Sequence, residues 1–251
     1  MLFVPVLDQV AARIGGVPVG ARTDPARWAY RVRDAAALAR PDWVVTHHDP
    51  QAEADAVRAA GGDPLDRPLP GSAAVAPLLE LTRVLAGLFP RTAVAASLTG
   101  PVALARALAG GGTPDPELVT DCADALAGLA SAQVEAGATR LLVWESDEPG
   151  PAPADALAPL LRRAAILGTP VLLRGGPVPA TAGVLRARPD GSGDALLVDP
   201  AVFAPDGTAA GFERAWSSWT GASAPELVLT DGPVPYDCDL ATVRAAGERP
   251  M

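Results

Sequence analysis

The chain is 251 residues long, room for one large domain or two small ones. Its 20 basic residues, all arginine, against 29 acidic ones leave a formal charge of −9, which excludes the basic footprint of a nucleic-acid binder and any pull toward anionic membranes. A 49% hydrophobic content beside 20% charged residues excludes a largely disordered chain and supplies a sizeable core.

No apolar run reaches the roughly 20 residues of a membrane span. The opening Met1-Leu-Phe-Val-Pro-Val-Leu-Asp8 is too short and lacks the basic lead of a secretion signal. Cys122 and Cys238 are too few for a disulfide framework, so a cytoplasmic protein acting on a small molecule is expected, with neither nucleic acid nor membrane as partner.

Taken in chain order, short apolar runs alternate with longer helical patterns. Strands are expected at Phe3–Leu7, Trp43–His47, Ala93–Leu98, Arg140–Trp144, Pro170–Leu173, Gly183–Arg186, Ala195–Val198 and Glu226–Leu229. Each is about five residues, bounded by Gly, Pro or Asp, as buried parallel strands are. Between them, helices are expected over Pro25–Ala39, from Asp49 or Pro50 to Ala60, and over Ser72–Leu88, Pro101–Ala109, Pro116–Ala136, Ala152–Leu167, Gly211–Trp219 and Leu240–Gly247. Asp63–Gly71, Glu148–Pro153 and Gly175–Ala180 read as loops rather than linkers. Eight strands with intervening helices in about 250 residues is the arithmetic of a single α/β domain, a (β/α)8 TIM-type barrel over residues 1–251. A doubly wound sheet would need a glycine fingerprint after a strand; Gly110-Gly111-Gly112 follows a helix pattern.

In such a barrel the chemistry sits where strands hand over to helices. Those positions are Asp8; His47, His48 and Asp49; Thr99 and Gly100; Glu145, Ser146, Asp147 and Glu148; Arg174; Arg186 and Arg188; Asp199; Thr230 and Asp231. His47 and His48 are the chain's only histidines, placed against Asp49 as a general acid–base pair or metal ligands would be. Alternation along a strand lets at most one of them face the mouth. Asp49 also serves as a helix cap on the blander view. The Glu145–Glu148 run offers paired carboxylates, one of which can hold a proton near neutrality, or a solvated acidic loop. Cys122 falls in a helix pattern as a small core residue, and Cys238 has no metal-ligand spacing around it.

Several segments together resemble the uroporphyrinogen decarboxylase superfamily, which includes corrinoid-dependent methyltransferases and the cobalamin-independent methionine synthase barrel. They are Ser97-Leu-Thr-Gly-Pro-Val-Ala-Leu104, Gln133-Val-Glu-Ala-Gly-Ala138 with Leu141-Leu-Val-Trp-Glu145, Asp42-Trp-Val-Val-Thr-His-His-Asp49, Val198-Asp-Pro200, and Leu227-Val-Leu-Thr-Asp-Gly-Pro-Val-Pro235. The resemblance runs in order along nearly the whole of a shortened chain and implies a (β/α)8 barrel and a tendency to homodimers.

Its departures are informative. The zinc of the methyltransferase branch needs a His-x-Cys pair and a further Cys, where this chain has Leu173-Arg174-Gly175 and Gly232. No cofactor and no zinc is therefore expected. Of the decarboxylase branch's N-terminal arginines only Arg13 remains, with Arg174, Arg186 and Arg188 as a relocated clamp.

The first functional expectation is a metal-free decarboxylase-like lyase acting on a tetrapyrrole or related carboxylated substrate. Asp49, His48, His47 and Tyr236 would be catalytic, and Glu145, Arg174, Asp199, Asp231 and Gly100 would bind substrate. The alternatives are a divergent methyltransferase using a corrinoid or folate methyl donor, and a non-catalytic barrel that serves as a binding subunit.

Overall fold

The computed structural model describes residues 1–20, 22–146, 155–176, 183–205, 208–219 and 225–249. Each expected apolar run forms a strand, because runs bounded by turn formers can bury both faces only inside a covered sheet. The order is β1 (Leu2–Val6), α1 (Asp8–Gly15), α2 (Pro25–Ala39), β2 (Trp43–Val45), α3 (Ala52–Ala60), α4 (Ala76–Leu88), β3 (Ala93–Thr99), α5 (Pro101–Leu108) and α6 (Pro116–Glu135). It continues through β4 (Arg140–Trp144), α7 (Ala158–Ile166), β5 (Val171–Arg174), β6 (Val184–Arg188), β7 (Ala195–Val198), α8 (Ala209–Trp219), β8 (Leu227–Pro233) and α9 (Leu240–Gly247), with 3₁₀ turns at Leu69–Gly71 and Pro200–Phe203.

The eight strands are all parallel and run β1-β8-β7-β6-β5-β4-β3-β2. The ladder stops between β1 and β2, and that seam is closed by other means. Asp42 N–H donates to Phe3 O at 2.9 Å, and Phe3 N–H donates back to Asp42 Oδ2 at 2.8 Å. Arg249 reaches the same carboxylate at 2.5 Å, with its guanidinium over the Phe3 and Trp216 rings. The result is a nearly closed (β/α)8 barrel.

Alternation divides the core into three. Val4, Val6, Trp43, Val45, Ala95, Leu142, Leu172, Ala187, Leu197 and Leu229 point inward and fill the cylinder. The outward residues of β1, β2, β7 and β8 pack with α1, α2, α4, α8 and α9, around a ring cluster of Phe3, Phe203, Phe212 and Trp216. Those of β3, β4 and β5 pack with α3, α5, α6 and α7, and Cys122 lies buried there as expected.

Helix starts follow local chemistry. Asp24 and Asp115 cap α2 and α6, accepting from Arg27 N–H at 3.0 Å and Glu117 N–H at 2.9 Å, each with proline in the first turn. After α6 the chain turns at Gly137, whose φ of +106° and approach to Ala86 of α4 both exclude a side chain.

Two departures from the sequence expectations stand out. Helix α1 occupies Asp8–Gly15, where no helix was expected. Strand β2 ends at Val45, two residues early. The six residues Pro189–Asp194 join β6 to β7 with no helix; Asp194 Oδ2 accepts from Arg186 N–H at 3.0 Å, and Asp190 accepts from Ser192 N–H at 3.0 Å. So short a parallel connection is possible because β7 begins level with Ala187, near the end of β6, and the chain need not travel back the length of a strand. The Glu148–Pro153 loop lies outside the described residues, as do Asp147 and most of Gly175–Ala180. No helix among the described residues is long and apolar enough to cross a membrane.

Candidate functional site

Early termination of β2 decides how the histidines sit. Beyond Thr46, whose N–H still donates to Ala95 O at 3.0 Å, the backbone leaves the ladder, so strict alternation no longer governs, and both histidines line one cavity with Asp49, Glu53, Ser97, Thr99 and Trp144. This cavity lies at the C-terminal ends of β2, β3 and β4. It measures about 10 Å³, room for roughly one water molecule.

His47 is buried; its Nδ1 and Thr46 Oγ1 share a hydrogen bond at 2.9 Å. Desolvation pushes its pKa from the ordinary 6.5 down to about 3, with smaller contributions from His48 and Arg22, so the ring is neutral. His48 is half-buried and stands edge-to-face with Trp144 at 4.8 Å between ring centres. Its pKa is also lowered, mainly by burial, although Asp49 and Asp231 oppose the shift. Trp144 is held in turn by its Nε1–H, which donates to Ser97 Oγ at 2.9 Å.

Two buried carboxyls complete this rim. Glu53, in the first turn of α3, accepts from Thr99 N–H at 3.1 Å and Thr99 Oγ1–H at 2.9 Å; burial raises its pKa. Asp8, the first residue of α1 just past β1, accepts from His48 N–H at 2.5 Å through Oδ2, while its buried Oδ1 has no partner among the described residues. Burial, with a smaller contribution from Asp49, moves the Asp8 pKa from 3.8 to about 7.

The other predicted residues are drawn into local pairs. Asp49 meets Arg22 Nε at 2.6 Å and accepts from Gln51 N–H at 3.2 Å, so it does serve as a turn cap while lining the cavity. Arg174 forms a two-pronged pair with Asp231 at 2.7 and 3.2 Å, from β5 to β8. Its Nη1 also donates to Glu145 O at 3.3 Å.

Glu145 turns away to the N-terminus of α5. There it accepts from Val102 N–H at 3.2 Å and Ala103 N–H at 2.8 Å, and from Ser146 N–H at 2.7 Å. A Cβ on Gly100 would lie 2.6 Å from that carboxyl, so Gly100 makes room for Glu145.

Asp199 is exposed and caps a 3₁₀ turn through Ala201 N–H at 2.8 Å. Tyr236 is exposed and is not among the cavity's lining residues; Gln9 and Arg13 hold its main chain. Arg186 pairs with Asp194 at 3.4 Å, and Arg188 donates to Gly176 O at 2.8 Å.

No group of three or more His, Cys, Asp or Glu side chains that could hold a metal ion occurs among the described residues. Both cysteines are buried away from the cavity, and burial pushes the Cys122 thiol up to about 12. Neither thiol is placed to hold zinc at this cavity. Larger hollows of about 390 and 310 Å³ lie elsewhere, one lined from Ala56 to Ala73 and one from Leu161 to Val184, and neither contains a carboxylate or an imidazole.

No family profile matches the chain, and no curated protein sequence does. Among solved structures it is similar to a methyltransferase from Methanosarcina mazei, with 15% identity over 98% of this chain and 93% of that one, at a TM-score of 0.72. The likeness is one of fold, a (β/α)8 barrel over nearly the whole of both chains. That is the fold the sequence segments lead one to expect.

Proposed function

We propose that this chain is a methyltransferase that binds its substrates at the C-terminal mouth of the barrel and works there without a metal held by cysteine. The observation that carries the reading is the likeness in fold to a methyltransferase over nearly the full length of both chains. The chemistry of the rim supports it. When a methyl group passes from donor to acceptor, the donor keeps the bonding pair, the acceptor's lone pair forms the new bond, and the acceptor's hydrogen leaves as a proton. His48, kept neutral by burial, has a free lone pair to take that proton. Trp144 gives the transferring carbon an apolar wall, and the Arg174–Asp231 bridge offers polar contacts at the rim. Corrinoid and folate methyl donors are the classes that the sequence resemblance implies. Decarboxylation has less support, because Asp49, which would face a cationic ring, is already engaged by Arg22 and Gln51.

The test is methyl transfer from methylcobalamin and from 5-methyltetrahydrofolate to a thiol. We expect turnover by the wild type and a loss of about 10²-fold or more in kcat for His48→Ala. Absence of both turnover and saturable binding with either donor would refute the reading. A second reading, a binding subunit, has its own motivation in a mouth whose carboxylates are paired and whose cavity holds about one water. Saturable donor binding without turnover would favour it.

A further inference from the structure

The barrel has one seam without a strand ladder, between β1 and β2. Its lower end is tied by Asp42, whose main-chain N–H donates to Phe3 O and whose side-chain carboxylate accepts from Phe3 N–H. At its mouth end, Asp8 Oδ2 accepts from the His48 main chain, across 40 positions of sequence. The last main-chain bond from this segment to β3 is the one Thr46 N–H donates to Ala95 O at 3.0 Å, so strand pairing ends two residues short of His48. The imidazole that stands against Trp144 therefore hangs from a segment tied across the seam at this end, among the described residues, by one carboxyl oxygen.

We propose that Asp8 is the positioning residue of the mouth: by clasping the His48 main chain across the open seam, it sets where the His48 ring stands against Trp144. Its burial, and an Oδ1 without a partner among the described residues, fit a group kept for this hold, since an unpaired buried oxygen costs about 1–3 kcal/mol and is otherwise disfavoured. The groups that face it are the His48 amide and, through charge, Asp49; both lie on the segment after β2. The importance of this clasp rests on the methyl-transfer reading, whereas its geometry does not.

The test uses the isotope-labelled full chain without ligand. In the wild type the His48 amide resonance should move between pH 5 and 9 with a midpoint near 7, as Asp8 titrates. Asp8→Asn, which keeps an oxygen acceptor, should abolish that titration and retain the His48–Trp144 ring-to-ring Overhauser contacts. Asp8→Ala should lose those contacts in an otherwise native spectrum. In the methyl-transfer assay Asp8→Asn should stay within threefold of wild-type kcat. Asp8→Ala should fall as far as His48→Ala with KM changed less than threefold. Retained ring contacts in a folded Asp8→Ala protein overturn the proposal. If that variant does not fold, a wild-type His48 amide that exchanges its hydrogen with solvent as fast as an unprotected amide overturns it. A wild type inactive with every donor defeats the methyl-transfer reading and leaves the resonance experiment to decide the clasp.

Discussion

His47 and Asp8 are buried on the same rim, and burial acts on them in opposite directions. The neutral form is favoured in both, so the histidine releases its proton early and the aspartic acid keeps it late. For Asp8 the folded pKa, about 7, lies above its ordinary 3.8, so its contribution to stability is complete at low pH and is lost as pH rises from about 4 to 7. For His47 the folded pKa, about 3, lies below 6.5, so its contribution is present above about pH 6.5 and is lost as pH falls toward 3. Urea melts across pH should therefore show Asp8→Asn gaining on the wild type as pH rises from 4 to 8, and His47→Gln gaining as pH falls from 6.5 to 4. Parallel curves for all three proteins would refute this. The histidines and Asp49 were legible in the sequence because they are rare or charged residues at the end of an apolar run. Glu53 was not, because one carboxylate in a helix pattern looks like any solvated residue until α3 packs it against Thr99.

At the scale of elements, α5 begins on a carboxylate borrowed from β4. Glu145 satisfies two of the amides that every helix start leaves without a partner, and Gly100 supplies the space. Glu145→Ala should lower stability by about 2 kcal/mol or more, through the lost cap and the stranded amides. Gly100→Ala should cost about 1–3 kcal/mol by crowding the same carboxyl. Denaturant titration measures both; a neutral Glu145→Ala would show that water replaces it. The sequence placed Glu145 at a strand end, but its direction follows from a helix two elements away. The unexpected α1 has a related explanation. It is eight residues long and its N-cap, Leu7, makes no side-chain cap, so it has no start signal; it is helical because Val10 and Ala11 pack into the core.

At the scale of the whole molecule, closure depends on side chains. Phe3 and Asp42 from the two seam segments, with Arg249 after α9, do at the bottom of the seam what ladder hydrogen bonds do elsewhere. Asp42→Ala and Arg249→Ala should therefore be non-additive. A double-mutant cycle read by urea unfolding should give a coupling of about 1 kcal/mol or more, within the usual range for residues in contact. Additive effects would show that the seam closes without them.

Eight strands, most of the helices and hence the barrel are legible in the residue order, because burial on both faces, turn residues and helical periodicity are local patterns. That order also marks the rim residues by their places at strand ends. Which of them meet is set by folding: Asp49 goes to Arg22, Asp231 to Arg174 and Glu145 to α5, and Asp8 reaches His48. Those pairings join residues 27 to 57 positions apart in the chain. Such contacts arise only when the cylinder closes, and a carboxylate carries no local sign of the partner it will find.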